Sequence, residues 1–333
     1  MPDIATAAQL VALLLRQLDD LYVFPETVPQ IRQLIEARLH EDAYPPLADG
    51  AALAKALTND MQEITRDKHL RLFYSEEPIP PRGESFYSDP TALAEYAEEQ
   101  RQINYGFARV ERLPGNIGYL DLRQFASPIF AGETAVAAMN LLAHTSALIV
   151  DLRQNGGGDP NQVALITSYL FDGEPVHLNS LYWREGDQTQ QFWTLPYVPG
   201  RRYGNKPVYV LTSSRTFSGA EEFAYNLKAR GRAVLIGERT GGGAHPGDRY
   251  RLAAHFEVFI PTGRAINPIT GSNWEGSGVE PDIAVPQEQA YELAYGEALR
   301  RVITEAAVGP ETRPARSLLK EARAALARLE AHG

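Results

Sequence analysis

The sequence contains no cysteine, which removes disulfides, thiolate metal sites and a cysteine nucleophile together while leaving the redox compartment open. It has no basic surplus. With 32 Lys and Arg against 42 Asp and Glu, the net charge is −10, and no nucleic-acid partner is expected because nothing is left over to neutralise phosphates. There is no uncharged stretch long enough to span a bilayer. Met1-Pro-Asp-Ile4 has no basic character, and the apolar run Leu10–Leu15 gives way to Arg16, Asp19 and Asp20, so no targeting leader is read. The chain is expected to be soluble, cytoplasmic as written or exported if a signal was trimmed. There is no low-complexity segment, metal-ligand cluster or cofactor motif, so neither metal nor cofactor is expected. What remains is an ordinary globular composition, 44% hydrophobic and 22% charged over 333 residues, enough for one large core or two domains.

Helical periodicity dominates the first part. Leu10, Leu13, Leu14, Leu18 and Leu21 mark one amphipathic face, Ile31, Leu34, Ile35 and Leu39 a second, and Leu53, Leu57, Met61 and Ile64 a third. The period changes at Lys68–Tyr74, which alternates like a strand. A polar connector over 75–104 follows, helical near Leu93–Gln102. Tyr105–Arg112 and Ile117–Leu122 read as a hairpin. Thereafter strand, Gly-rich turn and helix repeat: Ala147–Leu152 into Asn155-Gly-Gly-Gly-Asp159, Val208–Leu211 into Ser218, and Ala233–Ile236 into Gly237–Gly243. Such units indicate an α/β domain with its active edge at the strand C-termini. The expected organisation is a helical domain over 1–74, a connector over 75–104, an α/β core over 105–308 and a C-terminal helix over 309–333. That helix carries an apolar face suited to the core or to a homo-oligomer contact.

Ser218 stands where strand turns to helix, beside N–H groups that have no intrahelical partner. That position suits a nucleophile with an oxyanion hole. Ser218-x-x-Glu221 is also a capping box, in which the serine only caps the helix, and from these residues alone both readings stay open. The Asn155–Asp159 loop lacks the Lys-Ser/Thr of a phosphate loop. Its glycines fit an oxyanion donor or a tight turn equally well. A serine nucleophile needs a base. The only lysine between Ser218 and the C-terminal helix is Lys228, ten residues along the same helix and so roughly 15 Å away, which excludes a downstream lysine. Among the histidines, His69 and His245 have the stronger claims. His69 opens a strand after a helix, and His245 follows the Gly241–Gly243 turn.

Five motifs occur in order: Asp67-Lys-His-Leu-Arg71, Leu152-Arg153…Asn155-Gly-Gly-Gly158, Thr212-Ser-Ser…Thr216-Phe-Ser-Gly-Ala-Glu-Glu222, Gly237-Glu-Arg-Thr-Gly-Gly-Gly-Ala-His-Pro246, and Asn273-Trp-Glu-Gly-Ser-Gly-Val-Glu-Pro-Asp282. Together they resemble the tail-specific serine protease superfamily, in the branch related to interphotoreceptor retinoid-binding protein and the tricorn protease core. The resemblance runs over roughly residues 10–300. It implies a spiral ββα core of the ClpP/crotonase type behind an N-terminal helical bundle. It further implies Ser218 as nucleophile, His69 as base and Glu275 as the acid that orients it, with Gly219 and Gly157 or Gly158 as oxyanion donors. Glu238 is a rival for the acid, and His245 a further candidate of the cleft. Lys68 replaces the serine that precedes the histidine in tricorn-type members. The connector is too short for the PDZ domain of the C-terminal processing branch, whose Ser–Lys pair is also missing.

These features lead to a serine peptidase acting on peptides or unfolded proteins. The strand Val258–Thr262 and the loop Gly263–Ser277 are expected to line its cleft. A non-catalytic carrier of apolar ligands on the same fold is the alternative. An acyl-CoA enzyme of crotonase type is disfavoured, having no need of a serine at a helix N-terminus.

Overall fold

The computed structural model describes residues 6–80, 90–308, 310 and 312–331. The sequence readings at Met1–Ile4, at the middle of the connector, and at Glu311 and His332 lie outside them. In chain order the elements are α1 (Ala7–Leu21), α2 (Val28–His40), α3 (Gly50–Thr65), β1 (Arg71–Tyr74), α4 (Pro90–Gln102), β2 (Phe107–Leu113), β3 (Ile117–Leu122), α5 (Pro128–Leu142), β4 (Ala147–Asp151), α6 (Pro160–Tyr169), β5 (His177–Trp183), β6 (Gln188–Trp193), β7 (Val208–Thr212), α7 (Gly219–Ala229), β8 (Val234–Gly237), β9 (Gly247–Ala253), β10 (Phe256–Pro261), β11 (Gly263–Ile266), β12 (Ile283–Ala284), α8 (Gln287–Val308) and α9 (Arg313–Glu330). They form two compact units. One comprises 1–95, 180–190 and 243–266, the other 96–179, 191–242 and 267–333.

The first unit is the helical region that the leucine and isoleucine spacing predicts, with a small sheet added. Leu10, Leu14, Leu18, Ile31, Ile35, Leu53, Leu57 and Met61 share one core with Leu252, Val258 and Ile260 of β9 and β10. β10 lies between β1 and β9, antiparallel to both. Thr6 and Gln9 close a capping box on α1, and Asp49 caps α3 through the Ala52 N–H. Arg66 ends α3 in the left-handed conformation (φ 56°), which turns the chain sharply ahead of Asp67.

The second unit is built on a sheet of order β12-β8-β7-β4-β3-β2. Every pair is parallel except the β2–β3 hairpin. All residues of β4 and β7 are buried, as expected of parallel strands covered on both faces. Ile149, Tyr209, Leu211 and Ile236 pack with Ala294, Ala298 and Leu299 of α8 and with Ala322 and Ala325 of α9. Their buried alternates Leu148, Val150, Val210 and Leu235 face the other way. Asp151 pairs with Leu211 and Thr212 with Gly237, so β4, β7 and β8 end level and release their three loops from one edge.

That edge is tied to α8 by a hydrogen bond from an ion-paired arginine. Arg153 donates from Nε to Asp151 Oδ1 at 2.9 Å and from Nη2 to Oδ2 at 2.5 Å, and its Nη1 donates to Gln287 O at 2.7 Å. Tyr119 of β3 donates to the same carboxylate at 2.7 Å. Asp151→Ala leaves a largely buried guanidinium without its counter-charge and is expected to cost about 3 kcal/mol. A lower urea midpoint at unchanged m-value would register that loss, and an unshifted midpoint would show the pair to be idle.

Candidate active site

In the second unit, Ser218 sits at the N-cap of α7 with φ 53° and ψ −121°. A non-glycine residue there is strained by roughly 1–3 kcal/mol and persists only where its surroundings hold it. Three backbone links do so. Phe217 N–H donates to Asn155 O at 3.1 Å, Glu222 N–H to Ser218 O at 2.9 Å, and Gly241 N–H to Thr216 O at 2.9 Å. The capping box forms, with Glu221 Oε2 accepting from Ser218 N–H at 2.9 Å.

Glu221 does more than cap. Its side chain is fully buried, and Oε1 also accepts from Thr240 Oγ1 at 2.5 Å and from Gly242 N–H at 2.6 Å. Thr240 in turn exchanges hydrogen bonds with Val279, through N–H to O at 3.2 Å and from N–H to Oγ1 at 2.7 Å. One carboxylate therefore fixes the serine turn and the loop after β8, and that loop fixes the segment carrying Glu275. On that segment, Gly276 N–H donates to Gly242 O at 3.1 Å, and Glu275 N–H donates to Asn273 Oδ1 at 2.9 Å. From its spacing, Glu221 reads only as one half of a cap. Its reach to Thr240 and Gly242 was not legible, because the partners come from another loop.

The glycine loop after β4 presses directly on the serine. Gly157 has φ +110°, and a Cβ there would come within 2.8 Å of both Ser218 Cβ and Gly219 N, so only glycine fits. Its N–H is already committed to Asn155 Oδ1 at 2.8 Å. Asn155, fully buried, is itself anchored through Nδ2 to Leu122 O at 2.9 Å. Gly158, by contrast, is exposed. Glu238 occupies the loop after β8, but its carboxylate serves backbone amides, accepting from Ser214 N–H at 3.2 Å and from Gln287 N–H at 3.3 Å.

In the first unit, the turn after α3 gathers a buried acid and two imidazoles. Asp67 is fully buried. Its Oδ1 accepts from His69 N–H at 3.1 Å, and its Oδ2 from Tyr22 Oη at 3.4 Å and His245 Nδ1 at 2.7 Å. Phe24 meets the His245 ring edge-on at 5.0 Å. The His69 ring stacks on Phe259 at 5.6 Å. Burial lowers the His69 imidazole to about 4, with His245 and Arg71 adding to the shift and Asp67 opposing it. His69 is therefore neutral at physiological pH and able to accept a proton. Lys68 is exposed, and its carbonyl accepts from Arg71 Nη2 at 2.8 Å.

Two outcomes follow. Glu221→Ala, which orphans two N–H groups and a hydroxyl, is expected to cost about 3 kcal/mol in urea unfolding. For His69 the folded state binds fewer protons than the unfolded state between pH 6.5 and about 4. Stability therefore falls as pH drops through that window. In His69→Phe that fall should be smaller, and an identical pH–stability curve would contradict the buried, neutral ring.

Against known proteins, residues 116–285 match the family model of peptidase family S41, and residues 5–105 match the N-terminal domain of the S41 peptidase in eukaryotic IRBP. The chain is similar to the chloroplastic carboxyl-terminal-processing peptidase 1 of Arabidopsis thaliana, with 30% identity over 193 residues, covering 55% of this chain and 37% of that one. It is also similar to the tail-specific protease of Haemophilus influenzae, with 35% identity over 102 residues, covering 29% of this chain and 13% of that one. It thus spans well under half the length of these curated relatives. A solved structure of a peptidase candidate from Parabacteroides merdae superposes with a TM-score of 0.62 at 20% identity, over 89% of this chain and 98% of the other, and so shares the fold. With both family models matched in order along the sequence, the chain belongs to peptidase family S41.

Proposed function

We propose that this chain is a serine peptidase that cleaves peptides or unfolded proteins through an acyl-enzyme. Ser218 is the nucleophile, His69 the general base, and Glu275 the acid that orients the imidazole and stabilises it once protonated. The N–H groups of Gly219 and Gly158 serve as oxyanion donors. Gly157 drops out as a donor because Asn155 already takes its N–H. The observation that carries the reading is the strained Ser218 turn, held at a helix N-terminus with a glycine loop packed on it. A helix cap alone gives no reason for a serine at φ 53°.

In this reading Ser218 Oγ attacks the scissile carbonyl while His69 takes its proton. The oxyanion gathers at the helix N-terminus, where the dipole and free N–H groups stabilise it. Collapse of the tetrahedral species passes the proton from His69 to the leaving amine. Water then enters by the same route and releases the acyl group. An imidazole kept neutral by burial starts in the state a base requires, and the developing imidazolium is where an acid partner counts most. Glu238 fits the acid role less well, since its oxygens hold Ser214 and Gln287. His245, engaged by Asp67, fits a role in fixing the His69 turn. The strand β10 and the segment Gly263–Ser277, which begins as the strand β11 rather than as a loop, remain the candidate walls for a bound peptide.

Family membership and relatives that are processing proteases favour this reading over a carrier of apolar ligands. The apolar face of α9 packs with α8 through Ala322, Ala325 and Leu329, so a homo-oligomer through α9 would use its outward side. Among the described residues, no helix is long and apolar enough to cross a membrane.

A fluorophosphonate probe should label the wild type and leave Ser218→Ala unlabelled, with casein or peptide turnover lost in parallel. Glu275→Gln is expected to lower kcat by roughly 10²–10⁴-fold, and Glu238→Gln to leave kcat nearly unchanged while reducing stability. An unlabelled wild type that binds apolar ligands tightly would replace the peptidase with the carrier.

A further inference from the structure

Immediately after Glu221, α7 carries a second buried glutamate. Glu222 is 5% exposed, and its carboxyl lies close enough to the side-chain amides of Asn179 at β5 and Asn226 one turn further along α7 for their dipoles to favour its charged form. Both asparagines are fully buried, as is Gln162 on α6, which packs against α7. Asn226 is held from its far side by Asn267, whose Nδ2 donates to Asn226 Oδ1 at 3.1 Å and to Leu178 O at 3.4 Å. Glu222 Oε1 and Asn226 Nδ2 have no conventional hydrogen-bond partner.

No cation joins this cluster among the described residues. The charge that acts on Glu222 is Asp159, the N-cap of α6, and it has the same sign. On α7 itself, Lys228 pairs with Asp282 at 2.9 Å, and Glu221 is committed to Ser218, Thr240 and Gly242. Arg230 donates to His177 O, and the His177 ring of β5 stacks on Trp193 at 4.5 Å. Burial therefore dominates, and with Asp159 it pushes the acid up to about 8 against a weaker pull from the two amides. Glu222 is accordingly a neutral carboxylic acid at neutral pH. Its own N–H closes the first turn of α7 onto Ser218 O.

We propose that Glu222 is a positioning residue for Ser218: as a neutral acid it lets the first turn of α7 stay packed against α6 and β5, and its ionisation loosens the turn that carries the nucleophile. This inference rests on the reading of Ser218 as nucleophile. Between the usual carboxyl range and about pH 8 the folded state holds a proton the unfolded chain has lost, so stability falls as pH rises through that interval. Above it the loosened turn reacts slowly.

The test compares wild type with Glu222→Gln, the shape of the neutral acid without its proton. Fluorophosphonate labelling and peptide turnover in wild type should fall about tenfold per pH unit above pH 8, whereas Glu222→Gln should hold its rate. The alkaline loss of unfolding free energy should flatten in the same variant. The infrared carbonyl band of a protonated buried carboxyl should be present in wild type at neutral pH, vanish on the alkaline side, and be absent from Glu222→Gln. Should that variant fold poorly, Asn179→Leu removes an amide that favours the charged form and should move both the band and the alkaline limb to higher pH. An alkaline limb of equal position in wild type and Glu222→Gln, or no protonated-carboxyl band at neutral pH, overturns the inference. Labelling absent at every pH while the band titrates would instead overturn the nucleophile assignment, and the positioning role with it.

Discussion

The second unit depends on one buried carboxylate accepting three donors. Glu221 takes the Ser218 amide, the Thr240 hydroxyl and the Gly242 amide, and so joins two loops that leave the sheet at neighbouring strand ends. The arrangement answers two costs together. A buried charge is tolerable only when fully hydrogen-bonded, and a strained residue persists only when its neighbours leave it no alternative. Three donors suit an acceptor-only carboxylate, and the same bonds hold Ser218 at positive φ. The parallel sheet makes the convergence possible, because strands in register deliver their C-terminal loops to one edge.

The first unit solves a similar problem on a smaller scale. Asp67 follows a left-handed helix stop at Arg66 and is fully buried among Tyr22, the His69 amide and His245. Its carboxylate fixes the course of the His69 turn, while Phe259 covers the ring face. The imidazole is then set by burial more than by charge, which keeps it in the form a base needs.

Much of this was legible from residue spacing, and the reasons for the exceptions are physical. The helices α1, α2 and α3 were readable because leucine and isoleucine recur with strong contrast, and β4 and β7 because they are short, continuous apolar runs between turns. The long α8 was not, because small residues, Ala290, Ala294, Gly296 and Ala298, make up more than half of its buried side and offer little contrast against solvent-facing residues. β5, β6 and β11 likewise escaped notice: polar residues such as Asn179 and Ser180 are buried in β5, which hides the alternation. The segments 180–190 and 243–266 belong to the helical unit through pairings distant in sequence, which local patterning does not encode. At the site, the position of Ser218 followed from the strand-to-helix switch. The commitment of the Gly157 N–H to Asn155, and of Glu238 to two backbone amides, is a matter of side-chain direction.

Side-chain direction also explains why two adjacent glutamates on α7 differ so sharply. Successive helical residues point about 100° apart, so Glu221 turns toward backbone amides at the sheet edge and Glu222 toward the packed interior. The first meets N–H and O–H donors that satisfy an ion. The second meets asparagine amides, an aspartate and, among the described residues, no cation, so the neutral acid is favoured there. A motif of two identical residues therefore supplies one carboxylate that accepts three hydrogen bonds and one acid held in its neutral form by burial, each a single turn from the strained serine. Replacing either by the other's chemistry would disturb the serine by a different route. A neutral side chain at 221 would weaken the hold on the turn, whereas a charge at 222 would push α7 away from α6 and β5.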